Sequence, residues 1–501
     1  MAIITFIIYA TITLASLAVY MIKKRLNYWK ELGIPHDEPT LMGGNLHGLM
    51  TTRSFAQCTR EPYERHRGSG PFCGFYFFQR PAVLVLETEL AKNILIKDFS
   101  KFTDRGLFHN EESDPLTGHL FLLDGAKWKN LRNKLSPTFT SGKMRFMYPT
   151  ITEVADNFVK VFGEMSQANK NGVVEIKELL ARFTTDVIGK CAFGIECNSL
   201  KDPNAEFRIM GKRSLTERRH GKLLTGLIQG FPGLARKLKM RIVHDDVHNF
   251  FMRIVRETVA YREENNIKAN DFLSILIDLK NGEGKSDGVT LSLEEMAAQA
   301  FVFFLGGFET SSSTMGFALY ELALNQDVQD KLRDEVNEAF TEDGSISYES
   351  LHGLPYLGQV ISETLRKYTI VPHLNRQALV DYVVPGNPKY VIPKGMPILI
   401  PAYGMHHDPK LYPNPEKFDP ERFDANAVKQ RDSVEFLAFG DGPRNCIGMR
   451  FGIMQTRVGM AYLLRHFKFS VCEETEVPLI WDKASFVLCS KNGIYLKVDK
   501  L

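Results

Sequence analysis

One run of the chain stands apart by its pattern alone. From Ala2 to Ile22 no residue is charged, and at about 1.5 Å per helical residue this run matches the roughly 30 Å hydrocarbon thickness of a bilayer. Lys23, Lys24 and Arg25 follow at once, which by the positive-inside rule puts the rest of the chain in the cytosol. A cleaved secretory signal is the alternative. Ser16-Leu17-Ala18 resembles a cleavage site, but no basic region leads the segment, and it stays apolar through Ile22. Gly33-Ile34-Pro35 and Pro39 read as a stiff hinge. The pattern therefore predicts an anchor over residues 1–22, a basic, proline-containing linker over 23–40 and one domain over 41–501.

Beyond the hinge the periodicity changes twice. Phe72-Cys73-Gly74-Phe75-Tyr76-Phe77-Phe78 and Val83-Leu84-Val85-Leu86, broken at Arg80-Pro81, predict a β-hairpin. From 150 to 370 the spacing is helical, punctuated by Gly230-Phe231-Pro232-Gly233 and Gly353-Leu354-Pro355. After 370 short apolar runs such as Tyr390-Val391-Ile392-Pro393 and Gly493-Ile494-Tyr495-Leu496 bring strands back. The fold class is mainly α with small β-sheets. Lys222 to Val243 is basic and amphipathic, suited to a membrane interface or to an ordinary surface helix pair.

Composition removes whole classes of function. Sixty-two Lys and Arg against 59 Asp and Glu leave a net charge of +3, too small to indicate a nucleic-acid partner. Seven cysteines with no CxxC pair argue against a disulfide scaffold and fit a reducing compartment.

One cysteine has a distinctive setting: Phe439-Gly440-Asp441-Gly442-Pro443-Arg444-Asn445-Cys446-Ile447-Gly448, followed by a helical pattern. Gly440, Gly442 and Gly448 permit tight backbone paths and Pro443 stiffens the turn. Near a helix start, backbone N–H groups favour the Cys446 thiolate. With no second Cys or His at ligand spacing zinc is poorly served, whereas a heme needs one axial donor from this side. A buried cysteine acting as a small apolar residue is the plain alternative.

This ten-residue segment resembles the heme-binding signature of the cytochromes P-450, and the resemblance extends over the whole chain. It implies a triangular helical body with heme b between distal and proximal helices, and Cys446 as the axial ligand of the heme iron. Phe439, Gly440 and Gly448 belong to the same signature. Other segments match at the family's places. Glu363-Thr364-Leu365-Arg366 and Pro420-Glu421-Arg422-Phe423 imply a structural network of Glu363, Arg366 and Arg422. Gly306-Gly307-Phe308-Glu309-Thr310 implies a distal helix in which Glu309 and Thr310 relay protons; family members commonly carry Ala where Gly306 stands. Trp128 and Arg132, four residues apart, together with Arg376, Arg444 and Arg105, imply contacts to the heme propionates. Tyr368-Thr369-Ile370-Val371 departs from the proline-rich stretch many relatives carry.

Phrases such as Asp186-Val187-Ile188-Gly189-Lys190-Cys191 are similar to the insect microsomal members that clear plant toxins and insecticides. The resemblance implies a monooxygenase of the endoplasmic reticulum membrane, its catalytic domain cytosolic, acting on an apolar small molecule. No strand–GxGxxG–helix fingerprint is present, so NADPH electrons would arrive through a reductase, with cytochrome b5 as a further partner. Lys127, Lys129, Arg132 and Lys134 form a candidate docking surface. The expected pocket segments are 105–122, 205–245, 298–310, 370–376 and 484–490. A peroxide-rearranging heme enzyme, a heme carrier or gas sensor, and an anchored structural protein are the rival readings.

Overall fold

The computed structural model describes residues 2–501 except 268, 270 and 283–289. Its first helix, Ala2–Leu26, is the one described helix long and apolar enough to cross a membrane, and no residue of its most apolar stretch is buried. The helix runs a turn past the expected end at Ile22, because Lys23, Lys24 and Arg25 suit the negative end of the helix dipole.

The segment expected to be a linker is packed instead. Leu26, Trp29 and Ile34 are buried in the smaller of the two main apolar clusters. Trp29 donates its indole N–H to the Phe75 carbonyl at 3.1 Å, and the Tyr76 hydroxyl accepts from Trp29 N at 3.1 Å. The chain after the anchor is thereby stitched to the hairpin. That hairpin pairs Phe72–Phe77 with Arg80–Val85, and its turn falls at Phe78-Gln79 rather than at Arg80-Pro81. Pro81 can sit inside the strand because the neighbouring strand, Pro397–Ile400, pairs only with Val83 and Leu84. Leu374–Gln377 completes this four-stranded sheet, and a second sheet joins Val173–Glu175, Tyr495–Lys500 and Phe467–Ser470.

Between the sheets lies the helical body. Its axis is the helix Leu293–Leu324, begun by a capping box in which Ser292 and Glu295 each accept the other's backbone N–H. From Ser311 to Ala323 every residue is buried, as expected for a helix surrounded by others. Ile176–Ile188 packs along it on one side and Met449–His466 on another. Gly307 makes the first contact possible: a side chain there would press into Ile188. Mainly α with small sheets is the observed class.

Candidate active site at Cys446

Cys446 lies in a loop whose backbone is tied at each step. Its own N–H donates to the Phe439 carbonyl at 2.8 Å, and Gly440 N donates to Leu437 O at 3.0 Å. Gly442 takes a left-handed conformation, with φ at +69°, and passes so close to the Leu95 carbonyl that any side chain would collide with it. Arg132 reaches across from the helix Gly125–Leu135 and donates to the Asn445 carbonyl at 3.0 Å and to its side-chain oxygen at 2.8 Å. The residue before the cysteine is thus held on both its polar groups. Cys446 has protein packed around it but is itself exposed to a cavity of about 310 Å³.

Burial pushes the Cys446 thiol up, opposed by a hydrogen bond from Gly448 N–H and by the nearby charges of Arg132 and Arg105. The expectation that the helix start alone favours a thiolate therefore fails on balance. The helix begins at Met449, three residues on, and desolvation outweighs its field.

The central helix forms another wall of the cavity through Gly306, Gly307 and Thr310. A side chain at Gly306 would meet nothing, so this glycine leaves room on the cavity side. Thr310 donates its hydroxyl to the Gly306 carbonyl at 2.7 Å. Glu309 does not share this placement. Successive helical residues point about 100° apart, and the Glu309 carboxylate turns from the cavity to Lys177 Nζ at 2.5 Å, with the Ser313 hydroxyl at 3.4 Å. Burial opposes the charge on Lys177, and Glu309 overrides it, leaving the ammonium raised above its ordinary value.

At one end of the cavity are Trp128 and four guanidinium groups, Arg105, Arg132, Arg376 and Arg444. Arg444 lies 4.1 Å over the Trp128 ring and donates to the Leu123 carbonyl at 2.7 Å, while its Nε and Nη1 have no partner. Arg376 donates to Asn375 O at 2.8 Å, and its Nε is likewise unpaired. Burial, then mutual repulsion, pushes Arg376 down to about 9; burial brings Arg444 to about 10 and Arg105 well below the usual value. Asp124 faces them, 3.7 Å from Arg444. So many buried cations with orphaned donors call for further negative charge. The paired propionates of a heme meet that demand, and a cavity with a sulfur on one wall and a glycine-bearing helix on another has room for the macrocycle: the residues present fit the group.

Behind the loop, Glu363 and Arg366 are fully buried and joined by two bonds of 2.7 and 2.8 Å, with Arg422 Nε 3.4 Å from Glu363. The spacing did not reveal how this network reaches the cysteine. Arg366 donates to the His406 carbonyl at 2.9 Å; His406 Nε2 accepts from Leu437 N at 2.8 Å, at the head of the cysteine loop. Thr369 donates its hydroxyl to Arg366 O at 3.1 Å, so it accepts from His406 Nδ1 at 2.7 Å, which sets a neutral tautomer. Burial holds His406 well below its ordinary pKa. The stretch that departs from the family pattern thus divides its work. Tyr368 bonds Glu321 and Thr369 bonds His406, while Ile370 and Val371 line the cavity.

Three expectations change in detail. Of the four basic residues grouped as a docking surface, Arg132 points inward to Asn445, and Lys127 pairs with Glu111 at 2.7 Å. Among the described residues, none from segments 205–245 and 484–490 lines the cavity. Phe207 instead packs at a tilt against Phe304, 5.6 Å between ring centres, in an aromatic cluster with Phe193, Phe250 and Phe251. Lys177, Asp124, Asn445 and His406 were missed; of these only Asp124, the cap of the helix bearing Trp128 and Arg132, had a local signal.

A helical body with one cysteine on a cavity that several guanidinium groups line fits a heme-thiolate protein, and comparison with known proteins agrees. The family profile described as cytochrome P450 matches residues 35–498. "Probable cytochrome P450 6a21" of Drosophila melanogaster is 58% identical over 97% of this chain and 98% of its own. Cytochrome P450 6a2 of the same fly is 54% identical over 99% of both chains, and cytochrome P450 6A1 of Musca domestica 53% identical over 99% and 98%. The chain belongs to the cytochrome P450 family. It is a monooxygenase with heme b as its cofactor, served by a redox partner and acting on small molecules.

Proposed function

We propose that this enzyme inserts one oxygen atom of O2 into apolar foreign compounds, of the plant-toxin and insecticide kind, using NADPH electrons. NADPH–cytochrome P450 reductase delivers them, with cytochrome b5 as an accessory donor. The anchor Ala2–Leu26 holds the enzyme in the endoplasmic reticulum membrane with its body in the cytosol. Residues 1–22 serve as the anchor proper and 41–501 as one catalytic domain. The observation that carries the reading is the cavity itself, with Cys446 and Thr310 on its walls and unpaired guanidinium donors at its end.

Bound there, heme supplies oxygen activation, with a thiolate ligand favouring O–O cleavage. Cys446 would provide the sulfur ligand, with the Gly448 N–H and the charges of Arg132 and Arg105 favouring its thiolate. Arg105, Arg132, Arg376, Arg444 and Trp128 hold the propionate edge; Phe439, Gly440 and Gly448 let the loop lie against the ring. Thr310 presents a hydroxyl that can hold or pass a proton at the opposite wall. Glu309 reaches that wall only by leaving Lys177, so the Lys177–Glu309 pair controls when a carboxylate joins Thr310. Glu363, Arg366 and Arg422 keep the loop in place through His406. Phe139, Phe303 and Val371 exclude water and receive an apolar substrate.

The deciding experiment is the carbon-monoxide difference spectrum of dithionite-reduced membranes. A Soret band shifted far to the red and lost in Cys446→Ser is the expected result. Its absence from folded, heme-supplied protein overturns the reading.

A further inference from the structure

Where the anchor helix meets the body, a groove opens whose lining includes Arg25 from the anchor's last turn, Phe78 and Arg80 from the hairpin, and Arg218, Gly226 and Phe231. No Asp or Glu lines it. Arg80 spends one donor on the Gly395 carbonyl, 2.7 Å away, and Arg218 makes no hydrogen bond or ion pair with a described residue. Burial lowers both below the ordinary guanidinium value, with no carboxylate offsetting it. Arg25 lies 5.6 Å from the centre of the Phe231 ring. Met42, Leu46, Leu49, Met50, Leu227 and Phe231 add an apolar part to the lining, and Leu224, Leu234 and Leu238, in or just after the helices Lys222–Gly230 and Pro232–Lys237, are exposed beside it.

Arg80 is half-buried and Arg25 and Arg218 are open to solvent, and three cations around one groove with no acid among its lining residues favour an anion. A small soluble anion would make no use of the apolar walls. A zwitterionic headgroup would bring a second cation for which the groove offers no acid. We propose that this groove binds one anionic phospholipid from the leaflet in which the anchor sits. Arg25, Arg80 and Arg218 hold its phosphate, and an acyl chain runs along Phe78, Gly226 and Phe231. The proposal rests on the reading of Ala2–Leu26 as a membrane anchor. Its position at the foot of that helix puts the groove at headgroup level.

The test uses the full-length heme-loaded protein in nanodiscs of phosphatidylcholine with and without phosphatidylserine, with native mass spectrometry counting the lipids that stay bound on release. One phosphatidylserine is expected on the wild type. Arg80→Gln combined with Arg218→Gln should cut its retention about tenfold or more. Lys23→Gln with Lys24→Gln, which changes charge outside the groove, should leave it in place. If the arginine pair fails to fold, Gly226→Leu fills the groove beside Phe78, 3.4 Å from the added Cβ, and should cause the same loss. Equal retention of phosphatidylcholine overturns the proposal, as does unchanged retention in the groove variants. So does equal loss in the lysine variant, which would reveal general surface attraction. A protein that does not enter nanodiscs at all overturns the anchor reading and this site with it.

Discussion

Behind Cys446, Glu363, Arg366 and His406 are wholly buried, and their charged and ring-nitrogen atoms are paired. Near the anchor helix, around the short helices Lys222–Gly230 and Pro232–Lys237, Phe231, Leu234 and Leu238 are left open. The difference follows from the two tasks. A sulfur ligand must be held to a fraction of an ångström, which takes a network with no slack. Under the proposed function the second surface meets lipid and admits apolar compounds, which shallow, exchangeable contacts suit. The cysteine side should therefore be brittle and the membrane side tolerant.

The sharpest way to break this contrast is Arg366→Ala, which leaves the Glu363 carboxylate buried beside a cavity. We expect a cost of about 3–5 kcal/mol and little heme-loaded protein, read from Soret absorbance per protein and from melting temperature. Normal heme content would show that the network is dispensable. Between the two regions stands the Lys177–Glu309 pair. Glu309→Gln should keep the red-shifted carbon-monoxide band while product formed per NADPH from an alkoxycoumarin probe falls about a hundredfold. Unchanged coupling would remove Glu309 from proton delivery.

Acid probes the brittle side more gently. His406 is held below its unfolded value, so it stabilises the fold fully above an ordinary histidine pKa of about 6.5, and that stability is lost as pH falls below it. His373 and His407, each brought to about 3 by burial, act in the same direction. Each proton taken up on unfolding adds a slope of roughly 1.4 kcal/mol per pH unit. Melting curves of the holoprotein should fall through this range, and His406→Gln should remove about one proton's worth of the slope. The smallest effect belongs to the tolerant side. Leu238→Ser, at a residue 61% exposed, should shift stability by less than about 0.5 kcal/mol and leave the carbon-monoxide spectrum intact. A large loss there would mean that the exposed helices are structural.

What could be read without coordinates was what depends on neighbours in the chain. The Cys446 segment, Trp128 with Arg132 and Glu363 with Arg366 lie within ten residues of each other, where helical and turn geometry fix who meets whom. The hairpin was visible from its aromatic and β-branched runs, but its turn was misplaced, because Pro81 was read as a breaker when an edge position accommodates it. The linker was misread for a similar reason. Gly33, Pro35 and Pro39 signal a bend, and nothing local says that Trp29 finds the Phe75 carbonyl.

The sequence by itself determined where an apolar run long enough to cross a membrane lies, the helical body and the ten-residue loop around Cys446, because apolar length, periodicity and a short loop are local properties. Only the tertiary structure decided that Glu309 faces Lys177, 132 residues away, that His406 carries the Glu363–Arg366 network to Leu437, and that separate arginines converge on one cavity end. Each depends on chain segments brought together by burial of a shared core. A charge meeting its partner across such distances is set by packing, for which no spacing rule exists.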